Sequence, residues 1–172
     1  MSRAGAVTFK GAPLTLAGSE VTAGQAAPSF TLHYFADGMQ TITNECIKGK
    51  PTLISVVPSL DTPVCATQTK KFNDELGALG DSINAVTVSA DLPFAMNRFC
   101  GAESVENMKV GSDYQDSNFG TNWGMLIEEL KILTRGVFVV DAGGTVVHAE
   151  TVPEVTDEPN YDAALAALKG QL

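Results

Sequence analysis

Cysteine is scarce in these 172 residues: there are three, at positions 46, 65 and 100. Three cysteines make no disulfide framework for a chain of this size, and no two are spaced closely enough for a zinc site. Histidine is scarcer, with only His33 and His148, so the expected metal content is none. Positive charge is also short. Eleven Lys and Arg stand against 20 Asp and Glu, a formal net charge of −9, which argues against nucleic acid or an anionic membrane surface as partner. No apolar run approaches the ~20 residues of a membrane-spanning helix. The first residues carry one arginine and no hydrophobic segment, so no secretory signal is expected. Internal repeats and low-complexity tracts are missing too. What remains is a globular composition, 44% hydrophobic and 18% charged, at a length that predicts a single domain over residues 1–172 with a full core.

Against that background one stretch carries the chemistry. Leu53 to Val57 is an apolar run that predicts a buried strand. Pro58-Ser59-Leu60-Asp61 follows as a loop. Thr62 is a good N-cap residue, and Pro63 suits the first helical position after it. Cys65 then falls in the first turn, where backbone N–H groups lack intrahelical partners and the helix dipole is positive. Both favour an anion, hence thiolate over thiol. The Thr62 oxygen is placed to accept the Cys65 N–H, leaving its hydroxyl hydrogen to point at the sulfur. This local geometry suits a reactive cysteine, although most cysteines are simply small buried hydrophobes.

The rest of the chain predicts an α/β fold. Residues 7–17 alternate around Gly11-Ala12-Pro13 as a hairpin. Phe30 to Phe35 reads as a strand closed by an Asp37-Gly38 turn, and residues 42–50 give no clear signal. A helix is predicted from Pro63 to about Leu79, with Phe72, Leu76 and Leu79 on one face. Ile83 to Val88 is a further strand, and strand–helix–strand implies a parallel pair with a right-handed crossover. Pro93 to Cys100 and Ser117 to Trp123 read as short helices, with a brief strand from Val110 to Ser112 between them and a turn over residues 128–131 after them. Gly136 to Val140 and Thr145 to Ala149 read as strands joined through Asp141-Ala142-Gly143-Gly144. Asn160 to Leu168 is a closing Ala/Leu helix. A mixed sheet with helices on both faces accommodates all of this. On spacing alone, Cys100 reads as a buried cysteine, Cys46 as a spare thiol, Arg135 as a solvated strand-edge residue and both histidines as ordinary core or surface residues. Phe94, Met96, Phe99 and Met125 could line an apolar mouth or simply pack.

Pro58, Thr62 and Cys65 stand in the spacing Pro-x-x-x-Thr-x-x-Cys, within Pro58-Ser59-Leu60-Asp61-Thr62-Pro63-Val64-Cys65. This resembles the active-site loop of the peroxiredoxins. Asp91-Leu92-Pro93-Phe94-Ala95 with Arg98-Phe99-Cys100-Gly101 resembles a second signature, that of their atypical two-cysteine bacterial branch. Glu158-Pro159-Asn160-Tyr161-Asp162-Ala163-Ala164-Leu165 resembles that branch's last helix. The likeness covers nearly the whole chain. It implies a thioredoxin-like fold with an added N-terminal β-hairpin, and an antioxidant, thiol-dependent peroxidase acting on hydrogen peroxide and organic hydroperoxides. It implies that Cys65 is oxidised to a sulfenic acid, that Cys100 resolves it as an intramolecular Cys65–Cys100 disulfide, and that thioredoxin recycles the pair. Arg135, in Leu133-Thr134-Arg135-Gly136-Val137, matches the strand bearing the family's active-site arginine, with Arg98 the competing candidate, and Pro58 would shield the sulfur. It further implies a homodimer, through surfaces near the active site and around Trp123, and no metal, haem or flavin. A redox-active pair suits a reducing cytoplasm, and unwinding around one or both cysteines is expected before they can bond. Two other readings stand beside this one: a peroxide-sensing relay that passes oxidation to a partner, and a cysteine hydrolase, which needs a histidine beside Cys65.

Overall fold

The computed structural model describes residues 1–172. β1 (Ser2–Phe9) and β2 (Ala12–Ala17) form the N-terminal hairpin, turning through Lys10 and Gly11, both at positive φ. A two-residue turn of that handedness matches the twist of the strands it joins. β3 (Thr31–Phe35) and β4 (Met39–Thr43) form a second hairpin. β5 (Thr52–Val56) is followed by α1 (Pro63–Leu76), β6 (Asn84–Ser89), α2 (Pro93–Glu103) and β7 (Lys109–Ser112). The short α3 (Asn118–Asn122) precedes β8 (Leu126–Ile127) and β9 (Ile132–Leu133), and β10 (Gly136–Val140), β11 (Val146–Thr151) and α4 (Tyr161–Lys169) close the chain.

The main sheet has seven strands in the order β11-β10-β5-β6-β7-β3-β4; a second sheet runs β1-β2-β8-β9. β5, β6 and β7 are parallel, the expected result of two strand–helix–strand units, while β10 and β3 join on either side antiparallel. This is the mixed sheet flanked by helices that the order of predicted strands and helices implies. The unassigned residues 42–50 hold the end of β4 and a single 3-10 turn, Asn44–Ile47. The turn over residues 128–131 joins β8 to β9, two two-residue strands too short to show alternation.

Strand alternation divides the core. Leu53 and Val57 on β5 and its extension, with Val137 and Val139 on β10, face α1 and α4, where they meet Phe72, Leu76, Leu165 and Leu168. Ile54, Val56, Phe138 and Val140 point to the other face, into a cluster with Phe30, Phe119, Trp123 and Met125. Two site features follow from the same period of two. Ser55 is buried on the α1 face between Leu53 and Val57. Arg135, two residues before Val137, is directed to that face as well. Gly136 pairs with Val56, so Arg135 lies beside the end of β5 from which the Cys65 loop springs. Gly136 itself admits no side chain, because a Cβ there would meet the Glu150 carbonyl oxygen at 2.5 Å.

Candidate active site

β5 ends in the middle of the sheet and delivers the chain to α1 through residues 57–62. Val57 remains tied to the neighbouring strand, its N–H donating to the Val88 carbonyl at 3.0 Å. Pro58 is buried, Thr62 is the N-cap residue and Pro63 the first helical residue. Cys65, Gln68, Thr69, Phe72 and Leu76 then form the buried stripe of α1, at the spacing of one helix face. Cys65 is fully buried and belongs to the same apolar cluster as Leu53, Val57 and Leu60.

Arg135 reaches the sulfur. Its Nη2 donates to Cys65 Sγ at 3.3 Å, its Nη1 to Gln68 Oε1 at 2.9 Å, and its Nε to the Val155 carbonyl at 2.9 Å. The residue is 2% exposed, so it is not a solvated strand-edge residue. No carboxylate lies within ion-pair distance of it; the chain's two salt bridges are Lys48–Glu45 and Lys70–Glu103. A buried, uncompensated cation is costly. Cys65 is the one direct partner of the guanidinium that can carry negative charge. Tyr161, the ionisable phenol nearby, has its pKa pushed up by burial and by its hydrogen bond to Glu158, so it stays neutral. The arrangement therefore stabilises charge on sulfur.

Gln68, which the sequence reading passed over, is the second support. It is fully buried; its Oε1 accepts from Arg135, and its Nε2 donates to Ser55 Oγ at 2.8 Å. The signal was present: a polar side chain three residues after Cys65 falls on the core face of the helix, where a polar group needs a buried partner.

Thr62 departs from the expected geometry. Its hydroxyl donates to the Ser59 carbonyl at 3.0 Å, and its side chain makes no cap bond to α1. The tight loop turn offers that carbonyl nearer than the helix offers its N–H groups. The Cys65 N–H is consequently left without an acceptor and open to a ligand.

Cys100 lies on α2, half-buried, and packs against the cluster that holds Cys65; the two cysteines are unpaired. Burial pushes the Cys100 thiol up from its ordinary value. A cleft of about 370 Å³ lies between the Cys65 loop and α2, lined by Leu60, Asp61, Ala95, Arg98, Phe99 and Glu103 among others. Arg98 is thus near the loop but makes no hydrogen bond to sulfur. A separate hollow of about 310 Å³ by Cys46 lies at the opposite end of β6. Phe94, Met96, Phe99 and Met125 do not form one mouth: Met125 is in the cluster on the far face of the sheet, Met96 is buried under α2, and Phe94 is 60% exposed against Phe35. His33 packs against Tyr114, and His148 Nε2 has no hydrogen-bond partner. Neither histidine bonds to Cys65, which removes the base a cysteine hydrolase needs. Trp123 is buried among Phe30, Phe119 and Phe138 and presents no surface of its own.

Comparison with known proteins agrees with this geometry. The redoxin family profile matches residues 22–165. The chain is 47% identical over 163 residues to a thiol peroxidase of Bacillus subtilis (strain 168), covering 95% of this chain and 96% of that one. It is equally 47% identical over 163 residues to a thiol peroxidase of Staphylococcus aureus (strain MRSA252), covering 95% and 97%. Among solved structures, a peroxiredoxin-like protein from Aquifex aeolicus superposes with a TM-score of 0.86 at 36% identity over 96% of both chains. A thiol peroxidase from Chromobacterium violaceum shares the fold with a TM-score of 0.81 at 21% identity over 95% of both chains. With a buried cysteine under an arginine at the head of α1, and with relatives at this identity over nearly the full length, the chain belongs to the redoxin family and, within it, to the thiol peroxidases.

Proposed function

We propose that this peroxiredoxin-type peroxidase reduces hydroperoxides through Cys65, resolves the product with Cys100 and is recycled by thioredoxin. The observation that carries the reading is the buried Arg135 guanidinium, which has Cys65 Sγ at 3.3 Å and no carboxylate partner. The Cys65 sulfur, attacking as the thiolate with Arg135 and the first turn of α1 beside it, takes one oxygen of the peroxide along the O–O bond. That bond breaks, and charge develops on the departing oxygen. The Cys65 N–H and the Arg135 donors stabilise that charge in a site closed to water. Thr62 acts through the loop turn it holds with Ser59, and Pro58 closes the approach to the sulfur. The departing oxygen leaves with a proton as water or an alcohol, and Cys65 becomes a sulfenic acid. The Cys100 sulfur then attacks the Cys65 sulfur; the S–O bond breaks and water leaves with the Cys100 proton. A dithiol reductant returns both thiols by exchange, and itself becomes the disulfide.

No cofactor is required, and one domain carries the whole cycle. The chain acts as a homodimer; exposed Leu92 and Phe94 near the mouth of the site support an apolar contact there. No helix is long and apolar enough to cross a membrane, and a thioredoxin-recycled thiol pair suits a reducing cytoplasm. Steady-state peroxide consumption with thioredoxin, comparing hydrogen peroxide with a bulky alkyl hydroperoxide, tests the reading. Turnover of at least one of them with thioredoxin as sole reductant is expected. Peroxide consumption that thioredoxin does not sustain would overturn the recycling step.

A further inference from the structure

Asp91 stands at the head of the α2 segment and is tied to the Cys65 loop, a connection the chemistry above does not use. Its Oδ1 accepts from Ser59 Oγ at 2.7 Å, and its Oδ2 accepts from the Leu60 N–H and from Ser89 Oγ, each at 2.7 Å. These are short, charge-assisted bonds of the stronger kind. No basic side chain is paired with the carboxylate. The carboxylate is therefore placed by the two loop donors and by Ser89, while the Asp91 backbone donates to Ser89 Oγ at 3.2 Å and its carbonyl accepts from Ser112 Oγ on β7.

The tie continues from the carboxylate to the reacting sulfur. Ser59, held by Asp91, accepts the Thr62 hydroxyl and the Thr62 N–H on its carbonyl. Thr62 occupies the N-cap position of α1, three residues before Cys65. In the other direction, Asp91 directly precedes Leu92, the N-cap residue of α2, and α2 carries Cys100. The chain just past α2 is gripped separately: Asn73 Oδ1 on α1 accepts the Glu106 and Asn107 N–H groups at 3.0 and 2.8 Å. That grip lies two turns beyond Cys65 and can persist while the first turn of α1 opens. The Asp91 grip cannot, because the loop it holds is the one that must carry the buried sulfur out.

We propose that the Asp91 carboxylate is a latch between the two cysteine segments: closed, it holds the Cys65 loop in the attacking geometry; it must release Ser59 and Leu60 before Cys65 and Cys100 can bond. Asp91 is a positioning residue, acting through Ser59 and Thr62. The inference rests on the Cys65–Cys100 disulfide proposed above. It concerns the division of time between the two steps. A closed latch favours sulfenic acid formation, and also exposes that sulfenic acid to a second peroxide, which takes it to the sulfinic acid. An open latch favours condensation with Cys100. The half-buried Cys100 thiol, pushed up by its burial, becomes a better nucleophile as the same opening brings it to water.

Rapid-quench oxidation with mass-spectrometric counting of sulfenic acid, disulfide and sulfinic acid tests this on the full chain, with Asp91→Asn and Ser59→Ala. The first step is read in a Cys100→Ser background and the second with Cys100 present. Each variant is expected to slow sulfenic acid formation while speeding disulfide formation, the latter by about tenfold for the loss of one charge-assisted bond. The peroxide dose that gives half sulfinic acid should rise in parallel. Opposite changes in the two steps are what a loss of general integrity would not produce. Ser59→Ala keeps the test alive if Asp91→Asn fails to fold. Disulfide formation that is unchanged or slower in Ser59→Ala would overturn the latch. Absence of any Cys65–Cys100 disulfide in the unaltered protein would instead overturn the cysteine assignment, and the latch with it.

Discussion

Arg135 donates to the Cys65 sulfur at 3.3 Å, and the two residues differ in how they could be read. Cys65 was legible from local rules: a cap residue, a proline at the first helical position and a thiol inside the first turn. Arg135 was not legible from its own neighbourhood. An arginine at a strand start is ordinarily solvated, and only the pairing of β10 with β5 brings it to the sulfur. The family likeness anticipated it; the spacing did not. Gln68 was missed because one helix position carries no visible partner until Ser55 and Arg135 are placed around it. Thr62 shows the reverse error, a sound cap residue whose hydroxyl found a nearer acceptor in its own loop. A graded prediction follows for the guanidinium and its support. Arg135→Ala should slow sulfenic acid formation by ~10²–10³-fold, the usual effect of losing one transition-state donor. Gln68→Ala should slow it by roughly tenfold, by loosening the guanidinium without removing it. Stopped-flow oxidation in a Cys100→Ser background measures both. If Arg98→Ala proves as harmful as Arg135→Ala, the arginine has been misassigned.

At the scale of elements, β5, α1 and β6 were readable, and so were the short β7 and α3, whereas β4 and the two-residue strands were not. β5, α1 and β6 fall within a residue or a few of their predicted bounds, because the two strands are apolar runs and α1 has a clear N-cap and proline start with Phe72 and Leu76 at helical spacing. α1 ends at Leu76 rather than Leu79 because Gly77 opens a 3-10 segment. β8 and β9 were unreadable, since two residues cannot display a period of two. The fold sets a conflict between two of the readable elements. On the proposed chemistry Cys65 reacts with the first turn of α1 formed, whereas bonding to Cys100 needs the sulfur to leave a fully buried site. Amide hydrogen exchange should therefore quicken on oxidation in the first turn after Thr62 and in residues 93–101, while Leu53 to Val57 stays protected between β10 and β6. Equal protection of those segments in the reduced and disulfide forms would show that no unwinding is needed.

The whole molecule carries its own pH signature, set far from the sulfur. Asp113 is 1% exposed and accepts the Phe119 and Gly120 N–H groups at 2.9 and 2.8 Å at the head of α3. Burial outweighs those bonds and pushes its pKa up to about 6, against about 3.9 in an unfolded chain. The folded state therefore binds this proton more tightly than the unfolded state does. The contribution of Asp113 to stability is present below about pH 4 and is lost as pH rises through about 6, by on the order of 2 kcal/mol. Asp113→Asn should remove that slope. Denaturant midpoints of the two proteins between pH 4 and pH 7 provide the comparison, and a difference that does not change with pH would refute the assignment.

The central claim is that Cys65 is the nucleophile and Cys100 its resolving partner, and paired single-cysteine variants test it most directly. Cys100→Ser should consume one equivalent of peroxide per chain and stop, with Cys65 as the sulfenic acid. Cys65→Ser should consume none, because a hydroxyl in that place remains protonated near neutral pH. Peroxide consumed per chain, measured with thioredoxin present and absent, gives both numbers. Sustained thioredoxin-dependent turnover by Cys65→Ser would contradict the account.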